Sequence, residues 1–145
     1  DESGFERHCT QTHGYALRHE RCYGTHDWGK KKRTNAIGAL SQNNELLTAW
    51  LMEASINTPI FNAWICNDLL PQLTTKTVLV MDNATFHKST EMQKIVSQAE
   101  HIILYLPPYS PDLNPIEHYW AKLKTLRQRQ PDITLDKLFK LNTSN

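Results

Sequence analysis

The sequence predicts an α/β protein, a sheet flanked by helices, and three observations carry that prediction. Two short apolar runs, "VLVM" at 78–81 and "HIILYL" at 101–106, are bounded by polar residues, as strands buried in a parallel sheet are. Segments of helical spacing alternate with such runs, and alternating strands and helices imply parallel strands in one layer. The chain has 145 residues, 39% hydrophobic and 21% charged, which suits one globular domain, residues 1–145, with a sizeable core.

The elements follow in order. Residues 1–33 read as irregular and polar. "TNAIGALS" reads as a strand and "QNN" as a turn. "ELLTAWLMEA" reads as a second strand, with a short helix as the alternative. "TPIFNAWICNDLLPQL" predicts a helix with Thr58 as N-cap and Pro59 at the first helical position; Ile60, Trp64, Ile65 and Leu69 recur at helical spacing. The strand at 78–81 ends in Asp82, and "KSTEMQKIVSQAE" predicts the helix that leads to the strand at 101–106. A proline-rich loop precedes a helix from about Pro115 to Arg129, and "TLDKLFKL" predicts a short amphipathic helix.

Charge and cysteine content narrow the function classes. Lys+Arg is 16 and Asp+Glu 15, a net charge of +1, so a nucleic-acid role must rest on local patches. No stretch approaches the apolar length that spans a membrane, and nothing reads as a secretory signal. Cys9, Cys22 and Cys66 are too few and too irregular for a disulfide framework, which favours a reducing cytoplasm. The chain opens at Asp1 rather than Met, as a fragment or processed product would.

Two carboxylates stand at positions that chemistry favours. Asp82 ends a buried strand, and ligands bind at the carboxyl edge of open α/β sheets; a turn aspartate is the bland alternative. Pro115 opens a helix in which Glu117 is the third residue, so with Asn114 as N-cap it also reads as a capping box. The loop ahead of it, "LPPYSPDLNPIEHYW", carries Pro107, Pro108, Pro111 and Pro115. Each proline fixes its own φ and restricts its predecessor, which lowers the entropy cost of one defined loop geometry. A cap of about 1 kcal/mol hardly calls for that stiffening. A carboxylate that must be placed to within about 0.5 Å does.

"VLVMDNATFH" followed by "LPPYSPDLNPIEHYWAKLK" closely resembles the DDE superfamily of transposases, above all the bacterial insertion-sequence transposases related to mariner elements. The family's spacing of about thirty-four residues between its last two acids is matched by the 34 residues between Asp82 and Glu117. "DESGF" at 1–5 matches the motif that begins with the family's first aspartate. The resemblance covers nearly the whole chain. It implies a ribonuclease-H-like mixed sheet flanked by helices, here with its first strand truncated ahead of Asp1 and without the upstream helix-turn-helix that reads transposon ends. It implies the catalytic and metal-holding triad Asp1, Asp82 and Glu117, with Asp1 bridging two Mg²⁺ or Mn²⁺ ions. Three converging carboxylates raise one another's pKa unless cations neutralise them, and hard oxygen donors suit Mg²⁺ or Mn²⁺ over zinc. The implied reaction is cleavage of a DNA strand by water, followed by attack of the freed 3′-hydroxyl on target DNA. The implied partners are double-stranded DNA and a second copy of the chain, with no membrane, in the cytoplasm at the bacterial nucleoid.

Other residues carry smaller expectations. Asn83 and His87 match the same motif and are candidates to shape the site, with satisfied structural roles as the alternative. Lys30, Lys31, Lys32 and Arg33, and Lys122 and Lys124 on the Glu117 helix, are candidate DNA contacts. Arg127 and Arg129 continue that basic run, and Trp120 reads as core. Two rival readings remain: an inert remnant of a transposase, and a zinc-binding module built from His8, Cys9, His13, Cys22 and His26, whose spacing lacks a C-x-x-C pair. A chain that begins at the catalytic aspartate is expected to be inactive and marginally folded by itself, with Asp1 unsupported.

Overall fold

Alternation along three strands builds the first sheet in the computed structural model, which describes residues 1–6 and 33–142. Strands β1 (Glu2–Glu6), β2 (Arg33–Leu40) and β3 (Leu46–Met52) pair antiparallel in that order. Glu2 lies opposite Ile37, and Asn35 opposite Met52. The β2–β3 turn closes with Ser41 N–H donating to the Glu45 carbonyl at 2.8 Å, and Asn44 takes the left-handed φ of 61° that asparagine tolerates. Successive strand residues point to opposite faces. Ala36 therefore enters one core and Ile37 another, each with 0% exposure.

Helices cover both faces. On one side lie α4 (Pro115–Arg129) and α5 (Leu135–Leu141), which pack Ile116, Trp120, Leu123, Leu138 and Phe139 against Phe5, Ala36 and Leu46. The other side is covered by α1 (Thr58–Trp64), which runs on through a π turn (Ile65–Leu69) into α2 (Leu70–Gln72). Pro71 would clash with a carbonyl one turn back in a regular helix, and the wider turn accommodates it. The second core also receives Met81 from β4 (Val78–Met81) and Met92 and Val96 from α3 (Thr90–Gln98). Strand β5 (Ile102–Tyr105) pairs parallel to β4, Val78 opposite Ile102. Among the described residues no helix is long and apolar enough to cross a membrane.

Several expectations need correction. The start of the chain is not irregular, because residues 2–6 form β1. Nor is Asp1 unsupported. Its carbonyl accepts from Gly38 N–H at 2.9 Å and its amino group donates to the Gly38 carbonyl at 3.0 Å. Among the described residues parallel pairing is confined to β4 and β5; β2 and β3 pair antiparallel because a tight turn such as that at 41–45 can join only antiparallel strands. Strands β4 and β5 are also not buried on both faces. Val78, Val80, Ile102 and Leu104 are each about half exposed, at 51%, 50%, 48% and 54%, because no described element covers that face. The N-cap of α1 is Asn57, whose Oδ1 accepts from Ile60 N–H at 3.0 Å; Thr58 lies one residue inside.

Gly38 joins the first sheet to α4. A Cβ added there would lie 2.8 Å from Cη2 of Trp120 and 3.3 Å from the Thr48 carbonyl. Gly38→Val is expected to destabilise the fold by about 1–3 kcal/mol through overpacking. A thermal unfolding midpoint equal to that of the parent would show that Trp120 does not need this close approach.

Candidate active site

Three chain segments bring acids to one region. Asp82 follows the last residue of β4, where Leu106 N–H donates to the Met81 carbonyl at 2.8 Å and the strand ladder ends. Its Oδ1 accepts from Ala84 N–H at 2.9 Å and lies 2.5 Å from Nδ1 of His87. The His87 bond is the main reason the Asp82 carboxyl is held down at about 2, against the opposing effect of burial. Burial pushes the His87 imidazole down, but its contacts with Asp82 and Glu2 outweigh that and leave it above its ordinary value. Asn83 turns away, and its Nδ2 donates to the Leu106 carbonyl at the head of the proline loop.

Glu117 is brought in by α4. After β5 the chain makes a short 3₁₀ turn at Pro111–Leu113, and Pro115 opens the helix. Asn114 has the extended backbone of an N-cap, but its side chain makes no cap bond. Its Nδ2 donates instead to Asp1 Oδ2 at 3.3 Å, and the residue is 6% exposed. The capping-box alternative is therefore not what forms. Half-buried Glu117 has no hydrogen-bond or ion-pair partner among the described residues, so its carboxylate is not committed to the helix end.

Asp1 is the third of these acids. Burial lowers the pKa of its amino group, and the carboxylates of Glu2, Asp82 and Glu117 act against that shift. Residue 1 thus lies within the electrostatic reach of both distant acids.

The candidate DNA contacts fare unevenly. Lys122 is exposed. Lys124 is exposed too, but its Nζ stands 5.7 Å from the Phe5 ring centroid, a cation–π distance. Arg33 lies across β1, where a Cβ on Gly4 would clash with its guanidinium group. Arg127 is buried at 7% exposure, which takes it off the accessible face. Lys30, Lys31 and Lys32 lie outside the described residues, as do His8, Cys9, His13, Cys22 and His26 of the zinc alternative.

The family model described as DDE superfamily endonuclease matches residues 1–138. The chain belongs to that superfamily. No curated protein matches it in sequence. Among solved structures it is similar to the Mos1 transposase paired-end complex with left transposon end, at TM-score 0.76 and 17% identity over 97% of this chain and 44% of that one. The Mos1 strand transfer complex gives TM-score 0.77 and 18% identity over 97% and 43%. The catalytic domain of Mos1 mariner transposase gives 0.59 and 18% over 76% and 59%. The fold of this DDE superfamily member is accordingly the ribonuclease-H-like one, and the chain spans 44% of the length of the first of these Mos1 chains.

Divalent-metal dependence goes with this superfamily, and the donor chemistry of the site fits a hard cation. The candidates are all carboxylates. Asp1 Oδ1, Asp82 Oδ2 and both Glu117 oxygens have no partner among the described residues. Among those residues, though, no three His, Cys, Asp or Glu side chains already close into a metal-holding group. Rotation of unpartnered side chains would have to close it.

Sequence reasoning missed Glu2, whose Oε2 faces His87 Nε2 at 3.4 Å, and the aim of Asn114 at Asp1. For Glu2 the signal would have been alternation beside Asp1, which sends strand neighbours to opposite faces, but residues 1–33 read as irregular and offered no strand to which it could apply. For Asn114 no signal existed, because the same residue at the same position reads equally well as a cap.

Proposed function

We propose that this DDE superfamily member is the catalytic domain of a transposase, spanning residues 1–145, and that Asp1, Asp82 and Glu117 hold two Mg²⁺ or Mn²⁺ ions. One observation carries the reading: the Asn114 side chain leaves its own helix end to hold Asp1, which ties the Glu117 helix to the first acid. Ions bound there would supply a charged clamp for the attacking and leaving oxygens of a phosphoryl displacement. The chain's own part is to orient three carboxylates from β1, the end of β4 and the start of α4. The substrate is double-stranded transposon-end DNA, then target DNA, handled by a pair of copies. Likeness to Mos1 chains solved as a paired-end and a strand transfer complex supports both partners. Lys122, Lys124 and Arg33 would meet phosphates beside the site, each adding a salt-dependent contact.

The expected result is cleavage of transposon-end DNA by the full gene product in Mg²⁺ or Mn²⁺, none in chelator, and none by Asp82→Asn with its thermal unfolding retained. Cleavage that survives chelation or Asp82→Asn would overturn the metal-triad reading. Absence of cleavage under every condition would leave the inert-remnant alternative.

A further inference from the structure

Behind the Asp82 carboxylate lies a side chain that meets no solvent. His87 is 0% exposed, yet both of its ring nitrogens face carboxylates. Nδ1 is 2.5 Å from Asp82 Oδ1, and Nε2 is 3.4 Å from Glu2 Oε2. Those last two atoms are buried and neither makes a hydrogen bond. Burying polar atoms without a partner costs about 1–3 kcal/mol, so their facing each other is a matched arrangement rather than incidental packing.

The ring is held in one orientation. Phe61 and Phe86 pack against it with centroids 4.5 and 4.6 Å away. Tyr105 Oη donates to the His87 carbonyl at 2.6 Å, tying the 3₁₀ turn at Thr85–Lys88 to β5. The three residues also span a gap in the hydrogen-bonding. Glu2 lies on β1 and Asp82 at the end of β4, and these strands belong to separate ladders. Glu2, His87 and Asp82 make a polar link across that gap, on the face of β1 opposite the Asp1 side chain.

We propose that His87, backed by Glu2, is the positioning residue for Asp82: it commits Oδ1 to the protein and leaves Oδ2 for the site shared with Asp1 and Glu117. This rests on the reading of Asp82 as a metal ligand. Partners behind a ligand fix its orientation, and their loss typically weakens metal binding by about 10–100-fold.

The probe is Mn²⁺ alone, titrated into the 145-residue chain and followed by loss of the free-ion electron paramagnetic resonance signal. His87→Phe keeps the aromatic packing and removes both nitrogens; it is expected to weaken binding about 10–100-fold. Two amides then separate positioning from packing. His87→Asn places its amide near Nδ1 and is expected to recover most of the affinity. His87→Gln places it near Nε2, leaves Asp82 without its donor, and is expected to stay weak. A role confined to filling space would treat the two alike. Glu2→Gln should weaken binding in the same direction and add nothing in the His87→Phe background, the non-additivity of residues acting as one unit. If His87→Phe fails to fold, the Asn–Gln pair carries the comparison. Equal affinities for Asn and Gln variants, or parental affinity in His87→Phe, overturn the proposal. Asp82→Asn is the separate arm: parental Mn²⁺ binding there would remove the site reading itself, whereas its loss beside an unaffected His87→Phe would remove the positioning role alone.

Discussion

Glu117→Gln is expected to leave the fold intact and to lower DNA cleavage by at least about 10³-fold. The two halves of that expectation come from one observation. The Glu117 carboxylate is half-buried and has no hydrogen-bond or ion-pair partner among the described residues, so the fold does not depend on its charge. Its place in the first turn of α4 gives a favourable dipole interaction of about 0.3–1 kcal/mol. Unfolding should therefore move by no more than about 1 kcal/mol. The chemistry has no such cushion. A neutral amide in place of a carboxylate removes a hard anionic donor, and an ion's stabilisation of a phosphoryl-transfer transition state amounts to several kcal/mol. Each 1.36 kcal/mol is tenfold in rate, which gives the loss expected. Single-turnover cleavage by the full gene product, measured beside thermal unfolding, tests both halves. Cleavage within tenfold of the parent would place Glu117 outside the chemistry, and a large loss of stability would mean that its carboxylate is structural after all.

The acids were legible in the sequence and their supports were not, for a physical reason. Asp82 and Glu117 stand at element boundaries that local rules expose: a strand end after an apolar run, and a helix start after a proline-stiffened loop. Supports depend on tertiary direction. Asn114 can serve its own helix or reach across to Asp1, and the sequence around it is the same in both cases. Strand β1 escaped notice because only one of its five residues, Phe5, is buried, so "ESGFE" carries almost no alternation. Its existence rests on pairing with β2, a contact between segments far apart in the chain. The half-open faces of β4 and β5 were misread in the other direction. Their apolar runs match a strand covered on both sides, and composition cannot say whether a covering element is there. The β2–β3 hairpin shows the limit of counting elements: the short turn carried the antiparallel direction, while the alternation of strands and helices suggested parallel pairing.

Trp120→Ala is expected to cost about 3–5 kcal/mol of stability, the range for truncating a buried aromatic, a large share of the roughly 5–15 kcal/mol typical of a domain. Trp120 is 1% exposed and sits where α4 meets the sheet. Its ring packs against Phe5 at a centroid distance of 6.2 Å and Phe139 at 6.0 Å, and its edge approaches Gly38 closely enough to exclude a Cβ. Alanine would leave a cavity bounded by sheet backbone, which collapses poorly. The site should register the same change at a distance. Asn114 and Glu117 ride on α4 within two turns of Trp120, and Gly38, beneath the indole, carries both backbone bonds to Asp1. Loosening α4 therefore loosens the Asn114–Asp1 contact from both ends, and cleavage should fall in a protein that remains folded at low temperature. Trp120→Phe, which keeps an aromatic ring against Phe5, should lose less of both. Denaturant unfolding and cleavage rates of the two variants give the comparison. If alanine costs under about 1 kcal/mol, the close approach over Gly38 does not anchor α4. If stability falls but cleavage measured on the folded fraction does not, the acids are aligned by something other than this helix–sheet contact.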